Sequence, residues 1–395
     1  LSNLPAPTEN YQEEDEMNAV AHDYGVGKEP VARLRMAVVG AGSRGASLAR
    51  AFHACPEWEL TAVCDVEIDR AGKLAAQLGD VPWFETIDEL LDSVEVDTAA
   101  IATPLGALHG TTMTALRAGK HVLAEEPLAD SLVRGHEMVS EAQANGLVLM
   151  TDHPHSFEPA IQKIQKLMDS GSLGEILFVE ALLSEPNLLK TERDVFWDLA
   201  PGNFAILDQV LPEGLAPLEV SAFGGDPLGT GRDCVGHINF RLSNDAPVHV
   251  HVNRLSRAKT HQLLIAGTRL TMVWDGGLHK ERLQVLDPCL PNQQKHFSPY
   301  CPEPEIPQLL DEDGPQLILE QQTLGRMAAE LAKRIQRQRG GFPPHLPGLR
   351  VLAMLEAIAR SRSIDGQASR VMAPFPEDSD PDIAGNWSQS ILWSK

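Results

Sequence analysis

At 395 residues the chain is longer than one hydrophobic core usually serves, because single cores stop growing at roughly 250–300 residues, so two domains are predicted. With 43% hydrophobic and 22% charged residues it has the composition of a globular protein, which sets aside disordered and fibrous classes. A formal net charge of -22 repels phosphate backbones and anionic bilayers, so neither nucleic acid nor membrane is expected as a partner.

Five cysteines, Cys55, Cys64, Cys234, Cys289 and Cys301, form no CxxC pair and have no His at zinc spacing. This predicts reduced thiols, a cytoplasmic setting and no metal site. No apolar run reaches the roughly 18 residues of a membrane span. The first residues lack the basic-then-apolar order of a signal peptide. Residues 1–32, with Glu13-Glu14-Asp15-Glu16, read as an N-terminal arm, either loose or packed on a partner subunit.

A βα rhythm begins at Arg33. The apolar run Met36-Ala37-Val38-Val39 breaks into Gly40-Ala41-Gly42-Ser43-Arg44-Gly45, and a helical pattern follows. Strand, glycine turn and helix in this order form the dinucleotide fingerprint. Gly40 allows the tight turn, Gly42 lets a pyrophosphate reach the backbone, and Gly45 lets helix and strand pack closely. Ser43 and Arg44 lie inside the turn, where the helix N-terminus offers unpaired N–H groups to phosphate.

The next strand, Trp58 to Asp65, ends in a carboxylate 25 residues after Gly40, near the spacing of about 20 expected for a ribose-binding acid. Asp65 therefore favours NAD over NADP, with Arg44 and Arg70 close enough to soften that preference. A buried strand ends at Thr103-Pro104, at the carboxyl edge where nucleotides bind, and His109 follows in the next helix. A further strand ends in Glu125-Glu126-Pro127, and the strand to Met150 closes a six-strand dinucleotide-binding unit over residues 33–150.

Several segments together carry a family resemblance: VVGAGSRG, IATPLGALHGTTMTALRAGKHVLAEEPLA, LMTDHPHSFEPAIQKIQKLMDSGSLGEILFV, WDLAPGNFAILDQVL and GLRVLAMLEAIARS. The chain resembles the glucose–fructose oxidoreductase, inositol dehydrogenase and MocA-like family from about Leu34 to Met372. The resemblance implies an α/β protein: an N-terminal Rossmann domain, then a C-terminal α/β domain (151–372) with a large open, mostly antiparallel sheet, and a tail over 373–395. Strand-like alternation between Leu177 and Val285 supports that second domain independently. Helices at Pro159–Ser170, Phe204–Leu211, Pro315–Gln336 and Leu349–Ser363 are expected to cover one side of its sheet. The family's sheet face usually joins subunits, so a homodimer or homotetramer is implied.

The resemblance also implies hydride transfer between a nicotinamide, NAD or in second place NADP, and a hydroxyl of a sugar, sugar nucleotide or cyclitol. Gly40, Gly42, Ser43, Arg44, Gly45, Asp65, Thr103, Pro104, His109 and Glu125 are the expected cofactor residues. In the family a Lys in Glu-Lys-Pro and a later Asp-x-x-x-His usually handle the proton. Here Glu126 stands at the Lys position and Gly202 at the His position, leaving Asp198, with Asn203 following. A Glu at neutral pH offers neither the proton nor the positive charge of a Lys, and glycine has no titratable group.

Substitutes are present in Asp152-His153-Pro154-His155. His153 keeps a family histidine, and His155 is a second imidazole able to act as acid or base. Glu126 and Asp198 are candidates to share a proton if they meet. The expected catalytic residues are thus Glu126, His153, Asp198 and His155. Lys259 hints at an anionic substrate, while His249 and His251 read as sheet-surface histidines. The leading reading is an oxidoreductase with an atypical proton relay. The alternatives are a redox-neutral enzyme that holds a nicotinamide (epimerase, lyase or hydrolase) and a catalytically silent nucleotide-binding subunit.

Overall fold

The computed structural model describes residues 33–186, 193–277, 282–287, 314–337 and 346–372, with side chains from 320 and 347 in the last two stretches. The N-terminal arm, most of the Pro-rich loop after Asp287 and the C-terminal tail with Trp387 and Trp393 lie outside the described residues.

Residues 34–152 alternate strand and helix: β1 (Leu34–Val39), α1 (Ser43–Ala54), β2 (Trp58–Cys64), α2 (Ile68–Gln77), β3 (Trp83–Phe84), α3 (Ile87–Ser93), β4 (Thr98–Ile101), α4 (Leu105–Arg117), β5 (His121–Glu125), α5 (Leu132–Ala144) and β6 (Leu149–Asp152). All strand pairs are parallel, in the order β3-β2-β1-β4-β5-β6. The central strands are mostly apolar, as burial on both faces by crossover helices requires, and all four residues of β4 are buried. The order reverses between β1 and β4, so the glycine turn after Val39 opens at the switch point where such sheets bind ligands.

A 3-10 turn (Pro154–Phe157) and α6 (Pro159–Asp169) lead into the second sheet through β7 (Ile176–Ser184). Then come α7 (Val195–Val210), β8 (Glu219–Gly225), β9 (Val235–Arg241), β10 (Pro247–Asn253), β11 (Thr260–Gly267), β12 (Thr271–Asp275), β13 (Leu283–Leu286), α8 (Gly314–Arg337), α9 (Leu346–Ser363) and β14 (Ser369–Arg370). The strand order is β13-β12-β11-β7-β10-β9-β8-β14, antiparallel except where β7 meets β10. Alternation is clear: Ile238, Phe240, Val248, Val250 and Val252 are buried, while their neighbours His237, Asn239, His249 and His251 face the open side.

One expectation is corrected. The helix over Pro315–Gln336 does not cover the large sheet; α8 packs on α1 of the first domain. Its buried positions Leu324, Met327, Ala328, Leu331 and Ala332 follow helical spacing and join a cluster with Leu48, Phe52 and Trp58. The Trp58 indole N–H donates to the Ala328 carbonyl at 2.9 Å, which satisfies a buried donor across the contact. Helix α9 instead bridges the domains, packing on α5, α7 and β8, with the Glu356 carboxylate accepting from the Leu132 N–H at 2.7 Å. Among the described residues no helix is long and apolar enough to cross a membrane.

Candidate active site

The glycine turn has the geometry its sequence dictates. Gly40 sits at φ +99°, and a Cβ there would lie 2.3 Å from the Ala102 carbonyl oxygen. A Cβ on Gly45 would fall 1.6 Å from the Gly40 carbonyl oxygen, so the helix can approach the strand only as glycine. Gly42 differs: among the described residues nothing lies within 4 Å of its Cβ position. It caps α1 without a side-chain bond, no acid occupies the first helical turn, and Ser43 is exposed beside it. Open space over unpaired N–H groups at a helix N-terminus fits a pyrophosphate.

Asp65 is 6% exposed, its Oδ2 accepting from the Ala41 N–H at 2.7 Å and its Oδ1 from the Glu67 N–H at 2.8 Å. The carboxylate thus braces the turn, with Arg70 Nη1 3.5 Å from Oδ2. Thr103 and Pro104 close β4 ahead of α4, and the Thr103 hydroxyl is buried without a partner, as a ligand-facing group would be. His109 lies on α4 with Nε2 2.8 Å from a Glu137 oxygen on α5.

Arg44 is committed elsewhere. Its guanidinium donates to both oxygens of Asp152, Nε reaching Oδ2 at 2.6 Å, and Nη1 approaches Glu320 of α8 at 3.7 Å. Asp152 is 1% exposed, so this pair links the glycine turn to the end of β6. Glu125 pairs in register with Asp152. Burial, then the negative charges of Asp152 and Glu126, push its carboxyl up to about 7 against the opposing pull of Arg44 and Arg193.

Glu126 turns to His153, with Oε2 2.7 Å from Nδ1. Burial acts to raise the Glu126 carboxyl, but the hydrogen bond and charge of His153, then His155 and Arg44, outweigh it and hold the group below the usual range. His153 is 7% exposed, and its Nε2 is buried without a partner. Gly202 adjoins the pair: a Cβ there would lie 3.5 Å from Glu126 Oε1.

The proton shared between Glu126 and Asp198 is corrected. Asp198, one turn before Gly202 on α7, is ion-paired with the buried Arg254, so each carboxylate has its own partner. His155 is likewise paired, Nδ1 to Glu158 Oε1 at 2.7 Å, and Glu158 also accepts from Arg282 at 3.1 Å. The His155 ring packs edge-on against His261, with centroids 4.8 Å apart. Burial keeps His261 neutral, and its Nε2 lies 3.0 Å from Asn203 Oδ1, while Asn203 Nδ2 has no partner. Lys259 pairs with Glu185 at 3.1 Å, which answers its charge within the chain.

Sequence reasoning missed Glu158, Arg254, His261 and Arg282. Glu158 had a local signal, three residues after His155; the others are placed by the second sheet and carry none. Among the described residues no group of three His, Cys, Asp or Glu is arranged to hold a metal. His249 and His251 sit with His237 on the open sheet face.

Residues 34–153 match the model of the oxidoreductase family with an NAD-binding Rossmann fold. Among curated relatives, D-glucoside 3-dehydrogenase of Escherichia coli (strain K12) is 33% identical over 38% of this chain and 42% of its own length. The dTDP-3,4-didehydro-2,6-dideoxy-alpha-D-glucose 3-reductase of Actinomadura kijaniata is 31% identical over 52% of this chain and 58% of its own. The chain thus spans about half the length of the curated relatives it matches. The fold match is longer. Levoglucosan dehydrogenase, solved with NADH and levoglucosan, superposes with a TM-score of 0.71 at 18% identity over 86% of this chain and 100% of that one. An NAD binding oxidoreductase from Klebsiella pneumoniae gives 0.70 at 19% identity over 87% and 100%. These structures share the two-domain fold, Rossmann sheet followed by mixed sheet.

Proposed function

We propose that the chain is an NAD-dependent oxidoreductase that moves a hydride between the nicotinamide and a carbinol or carbonyl carbon of a sugar-like substrate. The observation that carries this reading is the open, uncapped Gly42 backbone beside the Asp65-braced turn, a cradle a Cβ would begin to fill. Gly40 to Gly45 and the start of α1 would hold the pyrophosphate. Asp65 would take the ribose hydroxyls and disfavour a 2′-phosphate, with Thr103, Pro104 and Glu125 at the nicotinamide half. When bound, the nicotinamide supplies the hydride acceptor or donor. The chain's own residues orient the substrate against it and handle the proton, with Glu126 and Gly202 making that relay atypical.

The sugar-like substrate is supported by the relatives, which act on a glucoside and on a nucleotide-linked deoxyglucose. The open face of the second sheet, with Phe223 at 55% exposure and the histidines beside it, is the surface we assign to a second copy of the chain. Three buried free cysteines, Cys55, Cys64 and Cys234, support a cytoplasmic setting.

Incubation with NAD and a panel of pyranosides, sugar nucleotides and cyclitols, followed by nicotinamide absorbance, tests the reaction. Reduction of NAD by at least one class is expected. Tight nicotinamide binding with substrate turnover but no net reduction would replace this reading with the redox-neutral one. Binding with no turnover of any panel member would replace it with the silent subunit.

A further inference from the structure

We infer that His153 is the acid–base of this reaction, acting through Nε2, and that Glu126 positions it. The inference rests on the oxidoreductase reading and specifies its relay. Glu126 follows the end of β5 and His153 the end of β6, neighbouring strands whose last residues Glu125 and Asp152 are paired. Both side chains therefore stand at the carboxyl edge of the sheet, where ligands bind in this class of fold.

An ionised carboxylate only accepts hydrogen bonds, so in the 2.7 Å contact the proton belongs to His153 Nδ1, which donates to Glu126 Oε2. In a neutral imidazole that leaves the lone pair on Nε2. A carboxylate on one ring nitrogen, fixing which nitrogen is free to react, is how a proton-transfer histidine is prepared. The Nε2 atom is buried yet bonded to no group among the described residues, the state of a group awaiting a partner from outside the chain.

Asp152 is taken by Arg44, Asp198 by Arg254, Glu158 by His155 and Arg282, and His261 by Asn203. His155 also has a carboxylate on Nδ1, but its side chain is 39% exposed and its ring packs against His261, so its free nitrogen is not a buried atom awaiting a partner. Gly202 has no side chain, and its Cβ position lies against Glu126 Oε1. Glycine there leaves the carboxylate room to turn to His153, so the two unusual positions serve one arrangement.

In oxidation, the substrate hydroxyl proton passes to His153 Nε2, and the imidazolium is held by Glu126. The carbinol carbon loses its hydrogen with the bonding electron pair to the oxidised nicotinamide, and the C–O bond becomes a carbonyl. Reduction runs the same transfers backwards, with His153 returning the proton to oxygen.

Three variants test this: Glu126→Gln, Glu126→Asp and His153→Asn. Imidazole nitrogen chemical shifts in labelled protein without nucleotide should show His153 protonated at Nδ1. Glu126→Gln should mix the two tautomers, since a carboxamide both donates and accepts. With the best substrate of the sugar panel, His153→Asn should lower kcat by about 100-fold or more with little change in KM. Glu126→Asp should recover part of what Glu126→Gln loses. NADH binding by fluorescence should survive in all three. Protonation of wild-type His153 at Nε2, or full kcat in His153→Asn, would overturn the inference. Failure of the wild type to bind NADH would instead remove the oxidoreductase reading, and the tautomer would still decide the role of Glu126.

Discussion

The Oε1 atom of Glu126 stands 3.5 Å from the point that a Cβ on Gly202 would occupy. A methyl group fits at that distance, and anything larger meets the carboxylate. Gly202 lies inside α7, so Gly202→Ala should stabilise the fold by about 0.5–1 kcal/mol through helix propensity, with kcat nearly unchanged. Gly202→His should place an imidazole against Glu126 in competition with His153 and lower kcat. Thermal unfolding and steady-state kinetics on both variants check this.

The glycine turn separates folding from binding. Gly45→Ala forces a Cβ into the Gly40 carbonyl and should destabilise the protein by about 3 kcal/mol or more, read by urea unfolding. Gly42→Ala meets nothing in the protein, so its unfolding midpoint should match the wild type while its affinity for NADH falls. Equal affinity would show that no phosphate lies over Gly42.

Asp152→Asn tests the pair that ties the turn to β6. It leaves the Arg44 guanidinium, 23% exposed, without the carboxylate that answers its charge. A loss of roughly 3 kcal/mol is expected in urea unfolding, the usual scale for breaking a buried pair from one side.

Glu125 gives a pH signature. Its carboxyl is raised from 4.5 to about 7 by burial and by its negative neighbours, so the folded state binds this proton more tightly than the unfolded chain. The resulting stability is complete below 4.5 and is lost as pH rises through about 7. Glu125→Gln should therefore match the wild type at about pH 4 and exceed it by about 1–3 kcal/mol at about pH 8, allowing for partial solvation. Thermal unfolding at the two pH values measures it.

Much of the first domain was legible because its signals are local. Val38-Val39-Gly40 and Gly45 encode a strand, a turn and a close helix contact within a few residues, and Asp65 closes the next strand. The pairings that define the site are not local. Arg44 and Asp152 lie 108 residues apart, and Glu126 and His153 lie 27 apart on separate strand ends. Residue type showed that Glu126 and Gly202 depart from the family pattern, but only the fold shows that a side chain at 202 would meet Glu126. Asp198 looked available because Arg254 reaches it from the end of β10. His109 follows the nucleotide edge in sequence, and its approach to Glu137 of α5, 28 residues on, is not local either. Helix α8 has an amphipathic stripe that fits either domain, and sequence does not say which surface it meets.

The most direct test of the central claim, an intact nicotinamide cradle, is calorimetric titration of the full chain with NADH and with NADPH. One saturable site for NADH, and weaker binding of NADPH because the proposed ribose acid Asp65 would repel a 2′-phosphate, is the predicted result. Absence of heat and of thermal stabilisation with both nucleotides would contradict it.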